Sequence, residues 1–351
     1  MTTNLDEQSE TVPPEASQPQ GGATVSSRGG FLARRGHLLE STLLPIAWVL
    51  VIIGFGLHSP STFLTWANFA NIFGTNAVLF VLVMALLVPL TNGDLDMSVA
   101  ENAGFVSMLI AWLNVTHHWG IIPAIIAGVI FGTFFGAING AIVTRFTVNP
   151  FIITLATGTV LLGCSQWITN EQTIAGVSPK LTEWTFGRHI FSIPIEFYFG
   201  FVIMLIMWYV LTFTPFGQRS LFVGQSREVA RLSGFKVSSV RFRGFVIAGF
   251  IAAIAGVLNV GTQGSATPGS TSPLLLSCYA GAFLGLTTIQ PGRFNALGAG
   301  VSVFFLATVS TGIELLGAQA YVEQIFNGAV LVIAVVFSQV IRTRRAASAT
   351  T

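Results

Sequence analysis

The stretch Gly244–Gly292 reads GFVIAGFIAAIAGVLNVGTQGSATPGSTSPLLLSCYAGAFLGLTTIQPG, 49 residues without a charge between Arg243 and Arg293. A second run, 41–93, has 53 uncharged residues between Glu40 and Asp94. One bilayer crossing needs only about 20 apolar residues, so each run holds two crossings joined by a short uncharged turn. Only helices and closed barrels satisfy their backbone groups in lipid, and apolar runs of this length are helical. The expectation is an all-α, polytopic membrane helix bundle.

Composition agrees. Charged residues are 9% of the 351, against about 25% in a soluble domain, and mean hydropathy is +0.74. Hydropathy places ten candidate crossings near 42–57, 74–90, 98–115, 120–144, 150–168, 197–213, 244–262, 273–290, 295–312 and 324–341. The second, third, eighth and ninth carry Gly, Pro, Asn or acids at their ends. An even count puts both termini on one side. With that topology 14 of the 16 Lys and Arg residues fall on the side of the termini, and only Lys180 and Arg188 lie opposite. Basic loops stay in the cytoplasm, so both termini are expected there.

The chain divides into a polar tail with a basic end over 1–36, a transmembrane domain over 37–341 and a cytoplasmic tail over 342–351. Residues 1–27 include Asp6, Glu7, Glu10 and Glu15 but no Lys or Arg. Such a segment buries too little apolar surface to offset its ordering entropy and is expected to be disordered. It also lacks the basic start of a secretory signal. Cys164 and Cys278 each lie alone in an apolar run, which suits small buried hydrophobes better than a disulfide or metal site. There is no Walker A lysine, GxSxG elbow or HExxH helix. No catalytic residue, metal, cofactor or nucleic-acid contact is expected.

Two constellations stand out. Residues 91–102, TNGDLDMSVAEN, form the most polar stretch at membrane depth. Acids there are expensive and usually face a cavity, a partner or an interface. One reading is a broken helix beside a transport path, with Asn92, Asp94, Asp96 and Ser98 on it; the other is a cytoplasmic turn with Asp94 capping the next helix. The second constellation, Gly224–Gly234, reads GQSREVARLSG in the longest internal loop. Ser226 suits a helix N-cap, Glu228 the positive helix start and Gly234 a left-handed stop. A two-turn helix of this kind either docks another protein or lies on anionic lipid. The ladder Gly128, Gly132, Gly136, Gly140 is read as helix packing without chemistry.

Taken in order, the motifs resemble the permease subunits of ABC importers of the ribose/xylose/galactose type over roughly 42–341. Residues 93–100, GDLDMSVA, are similar to GGIDLSVG, with Asp94 where that pattern has glycine. Residues 149–155, NPFIITL, resemble PFIATL. Residues 214–219 with 223–224 and 230–234 resemble TRFGR…AxGxNxxAARLSG; Ser265–Pro268 is similar to SAQP and Leu284–Gly285 to LGG. Two stretches depart: YELDAIA falls on 274–280 without either acid, and GGxG falls on 291–294 with one glycine.

The resemblance implies a translocation path through Asn92, Asp94, Asp96, Ser98, Phe151 and Thr154. It implies a coupling loop at Arg227, Glu228, Ala230, Arg231 and Gly234 that meets a cytoplasmic ABC ATPase. Further implied partners are a second permease copy or paralogue, an extracellular or periplasmic solute-binding protein and surrounding membrane lipid, in the bacterial inner membrane. The implied cargo is a monosaccharide or similar polyhydroxy solute. From another class, an ion- or proton-coupled carrier would use Asp94, Asp96 and Glu101 as coupling acids.

Overall fold

A computed structural model describes residues 28–348. Residues 1–27 of the expected N-terminal tail and 349–351 of the C-terminal one lie outside the described residues; 28–36 and 342–348 continue helices. The chain is a helix bundle, in order α1 (Arg28–His58), α2 (Pro60–Phe63), α3 (Trp66–Thr75), α4 (Ala77–Thr91), α5 (Val99–Ala111), α6 (Ile121–Arg145), α7 (Pro150–Thr169), α8 (Pro179–Thr182), α9 (Ile195–Phe213), α10 (Pro215–Gln225), α11 (Arg227–Leu232), α12 (Val237–Gln263), α13 (Leu274–Gly285), α14 (Ala296–Leu315) and α15 (Ala320–Ser348). Four two-residue strands, β1 (Ile174–Ala175), β2 (His189–Ile190), β3 (Ile193–Pro194) and β4 (Ser265–Ala266), pair antiparallel as β1 with β4 and β2 with β3.

Among the described residues six helices are long and apolar enough to cross a bilayer: α1 from Ser41, α6, α7, α9, α12 and α14. The bent pair α3 and α4, with 45° between them, makes a seventh if it is one span. Runs expected to cross at 98–115 and 273–290 form shorter helices. The 13 residues of α5 pass into a π-helical turn at Trp112–Thr116, and α13 has 12. At 1.5 Å per residue neither reaches the roughly 30 Å of hydrocarbon.

Burial explains why apolar length and span length part company. All 15 residues of α4 are buried, so its hydrophobicity on every side is met by protein rather than lipid. Around it pack α9, α12, α13 and α14. On the outside, α6 shows Ile122, Ile126, Ile130 and Phe134 outward. The glycine ladder of α6 lies against α12: a side chain at Gly136 would meet the Phe245 carbonyl oxygen and come within 2.9 Å of Gly249 Cα. Asn102 of α5 then clips the crossing, donating from Nδ2 to the Gly132 carbonyl at 3.0 Å.

Candidate functional site: a charged clasp at the α4–α5 break

Pro89 near the end of α4 has no N–H to continue the ladder, and the helix stops at Thr91. Gly93 then takes φ +75°, a left-handed turn that glycine adopts without a Cβ clash. Residues 92–98 run without regular structure before α5 begins, with Asn92, Asp94, Asp96 and Ser98 buried, Leu95 and Met97 partly so and Gly93 exposed.

Asp94, 1% exposed, turns to two arginines. Arg241 of α12 donates from Nε to Oδ2 at 2.8 Å and from Nη2 to Oδ1 at 2.7 Å. Arg227 of α11 donates from Nη2 to Oδ1 at 2.7 Å and to the Gly93 carbonyl at 2.9 Å. Asp94 does not cap α5. Asp96 instead ties down the residue before the helix: its Oδ1 accepts from Ser98 N at 3.0 Å and Ser98 Oγ at 2.6 Å, while α5 itself has no side-chain cap bond. The two-residue step from Asp96 to Ser98 suits an aspartate bonding its own backbone.

Around Asp96 the polar contacts continue inward. Asn139 of α6 donates from Nδ2 to Ser98 Oγ at 2.9 Å. Thr154 of α7 accepts from Met97 N at 2.9 Å and lies 3.3 Å from the Leu95 carbonyl, so it braces the break. The Tyr279 hydroxyl of α13 is near the Asp96 backbone but is buried without a hydrogen-bond partner. Asn92 is fully buried and both its side-chain polar atoms lack a protein partner.

Of the expected path residues, the structure brings together Asn92, Asp94, Asp96, Ser98 and Thr154 on or against one break. Phe151 sits apart on the outer surface of α7, 37% exposed. Glu101, one turn into α5, lies near Ser272. Arg241, Asn139 and Tyr279 are neighbours that sequence reasoning missed. Arg241 stands 147 residues from Asp94, and no local spacing announces that pair. A sharper question was available: a carboxylate inside an apolar run needs a cation somewhere.

The loop residues sort by direction. Ser226 Oγ accepts from Val229 N at 3.3 Å to start α11, and Gly234 ends it at φ +84°. Ala230 is buried against Val223 and Val240. Glu228 and Arg231 pair at 2.6 Å on the solvent side, beside exposed Val229 and Leu232. Arg227 points inward to Asp94. Gly224 lets the loop close on the break, because a side chain there would run into the Thr91 carbonyl oxygen.

A bundle of apolar helices around an irregular, polar, buried break is the architecture of a membrane permease, where broken helices line the route. Residues 63–335 match the family described as branched-chain amino acid transport system / permease component, and the chain belongs to it. It is 32% identical over 295 residues to the ribose import permease protein of Bacillus subtilis (strain 168), covering 83% of this chain and 90% of that one. It is also 27% identical to the D-allose transport system permease protein of Escherichia coli (strain K12), over 83% and 89%. With the L-arabinose ABC transporter permease protein of Azospirillum brasilense it shares 24% identity over 97% and 99%. No solved structure matches the chain. The chain is a multi-pass membrane permease component.

Proposed function

We infer that this permease is the membrane-spanning subunit of an ATP-driven importer, passing a monosaccharide or similar polyhydroxy solute delivered by an extracellular binding protein. The observation that carries the reading is the buried break at 92–98. There a carboxylate, two hydroxyls and two carboxamides (Asp96, Ser98, Thr154, Asn92 and Asn139) converge inside an apolar bundle. Neutral sugars are held by hydrogen bonds to groups of this kind, and a carboxylate acceptor makes bonds about twice as strong as a neutral one. The relatives named for ribose, allose and arabinose support the solute class.

ATP hydrolysis falls to a separate cytoplasmic subunit. Its docking site on this chain is α11, which offers Glu228, Arg231, Val229 and Leu232 outward on a helix anchored by Ala230. Ten crossings with both termini in the cytoplasm fit the distribution of basic residues. In that topology the shorter helices α5 and α13 complete their crossings with the irregular segments that flank them. A second permease, as an identical copy or a paralogue, completes the path.

The coupled-carrier alternative is disfavoured by what its acids touch. Both Asp94 oxygens are taken by arginine donors, and Asp96 holds Ser98. Vesicles containing the permease with its ATPase and binding protein decide the matter. Uptake should require ATP inside and sugar-loaded binding protein outside, and should survive collapse of the proton gradient. Uptake driven by a proton gradient without ATP would replace this reading with the carrier.

A further inference from the structure

Asp94 is a carboxylate buried inside an apolar bundle, 1% exposed. Two arginines meet that one anion, one more cation than charge balance requires. They differ in kind. Arg241 is on the long helix α12, its side chain 8% exposed, and it engages both carboxylate oxygens. Arg227 opens the six-residue α11, its side chain 44% exposed, and it reaches one oxygen and the Gly93 carbonyl. One partner is enclosed by the bundle and the other is half open to water.

The geometry points to Asp94 as a latch, a positioning residue that holds the ATPase-docking helix α11 against the 92–98 break through Arg227 and releases it during each transport cycle. The inference rests on α11 being the docking helix. Arg241 makes release workable. Stripping both partners from a buried carboxylate would be strongly unfavourable, whereas losing Arg227 leaves the charge paired. What is exchanged for water is the pair with Asp94 and the bond to the Gly93 carbonyl, both from one Nη2 on a half-exposed side chain, enough to bias a resting position without freezing it. Contact of Gly224 with the Thr91 carbonyl supplies the shape of the closed position, and the Arg227 pair supplies its charge.

The test uses the complete complex of permease, ATPase and binding protein in lipid discs. ATP turnover is read with and without sugar-loaded binding protein. Arg227→Gln should raise the unstimulated turnover about three- to tenfold, the range of a charge-assisted contact discounted for exposure, and lower the stimulation ratio by the same factor. Asp94→Asn should do likewise, and the double variant should go no further than either single change. Arg227→Lys, with one ammonium in place of a fork, should fall between wild type and Arg227→Gln. A merely structural role would lower yield without moving the ratio.

An unchanged ratio in Arg227→Gln, or increases that multiply in the double variant, overturns the latch. Arg227→Gln alters a half-exposed side chain and decides the question even if Asp94→Asn fails to assemble. The docking reading is checked separately by Glu228→Arg. If that variant retains the ATPase as wild type does, docking on α11 falls and the latch with it. Retention lost in Glu228→Arg with the ratio unchanged in Arg227→Gln removes the latch alone.

Discussion

Arg241 is the cation that makes a buried Asp94 tolerable, and its removal has a distinct signature. With Arg241→Ala the carboxylate keeps only a half-exposed partner, and breaking a buried pair from one side costs about 3–5 kcal/mol. Thermal unfolding of the purified variant should show a large loss of stability, while Arg231→Ala, on the solvent side, should show little. Asp96 answers to different rules. Its Oδ1 accepts two bonds from Ser98, and asparagine preserves an acceptor there. Asp96→Asn should retain part of the uptake and Asp96→Ala should lose it, measured in the same vesicles at equal protein level. Equal loss in both would mean the charge itself is needed. The sequence showed Asp96 clearly, because Asp-x-Ser is a local bonding unit. It could not show the partners of Asp94, since 133 and 147 residues separate them from it.

Helix α12 carries the bundle, and its seam with α6 was legible as four glycines at four-residue spacing. What the spacing could not say is which helix lies against them. A side chain at Gly136 meets backbone on α12 rather than the far end of a flexible side chain. Gly136→Val should therefore push the helices apart and cost about 1–3 kcal/mol or more, seen as loss of monodisperse protein in fluorescence-detected gel filtration. Gly163, with open space around it, should accept alanine without such loss. The boundaries of α4, α5 and α13 were less legible. An apolar run tells of burial, and burial against protein resembles burial in lipid until the neighbours are known. The 45° bend between α3 and α4 had only Gly74 and Asn76 to mark it.

Taken as a whole, the chain places its basic residues unevenly between its connecting segments. The Asp94 clasp, α11 and the basic residues of 214–243 belong together, whereas Lys180 and Arg188 sit in the segment carrying β1 to β3. A cysteine placed at Lys180 should react with a membrane-impermeant thiol reagent added outside intact cells, and one at Arg231 should react only after permeabilisation. The reverse pattern would overturn the ten-span topology and the cytoplasmic placement of α11 together. Charge asymmetry was fully legible in the sequence because it is a property of counts along the chain. The polar break was legible as a break, but its contacts with α6, α7 and α13 depend on packing that no window of sequence contains.

The α6–α12 seam bears on how motion crosses the membrane. Two helices in backbone contact over several turns cannot slide or splay without opening a void, so they travel as one stiff member. The 27 residues of α12 span about 40 Å. Arg241 grips Asp94 near one end, and at the other Ser265–Ala266 is stitched to Ile174–Ala175. Such a member acts as a lever: a tilt imposed near Arg241 reappears with opposite sense at the β1–β4 stitch. Under the proposed function, nucleotide turnover at α11 would reach the far face of the membrane through the rigidity of glycine packing, with no relay of side chains in between.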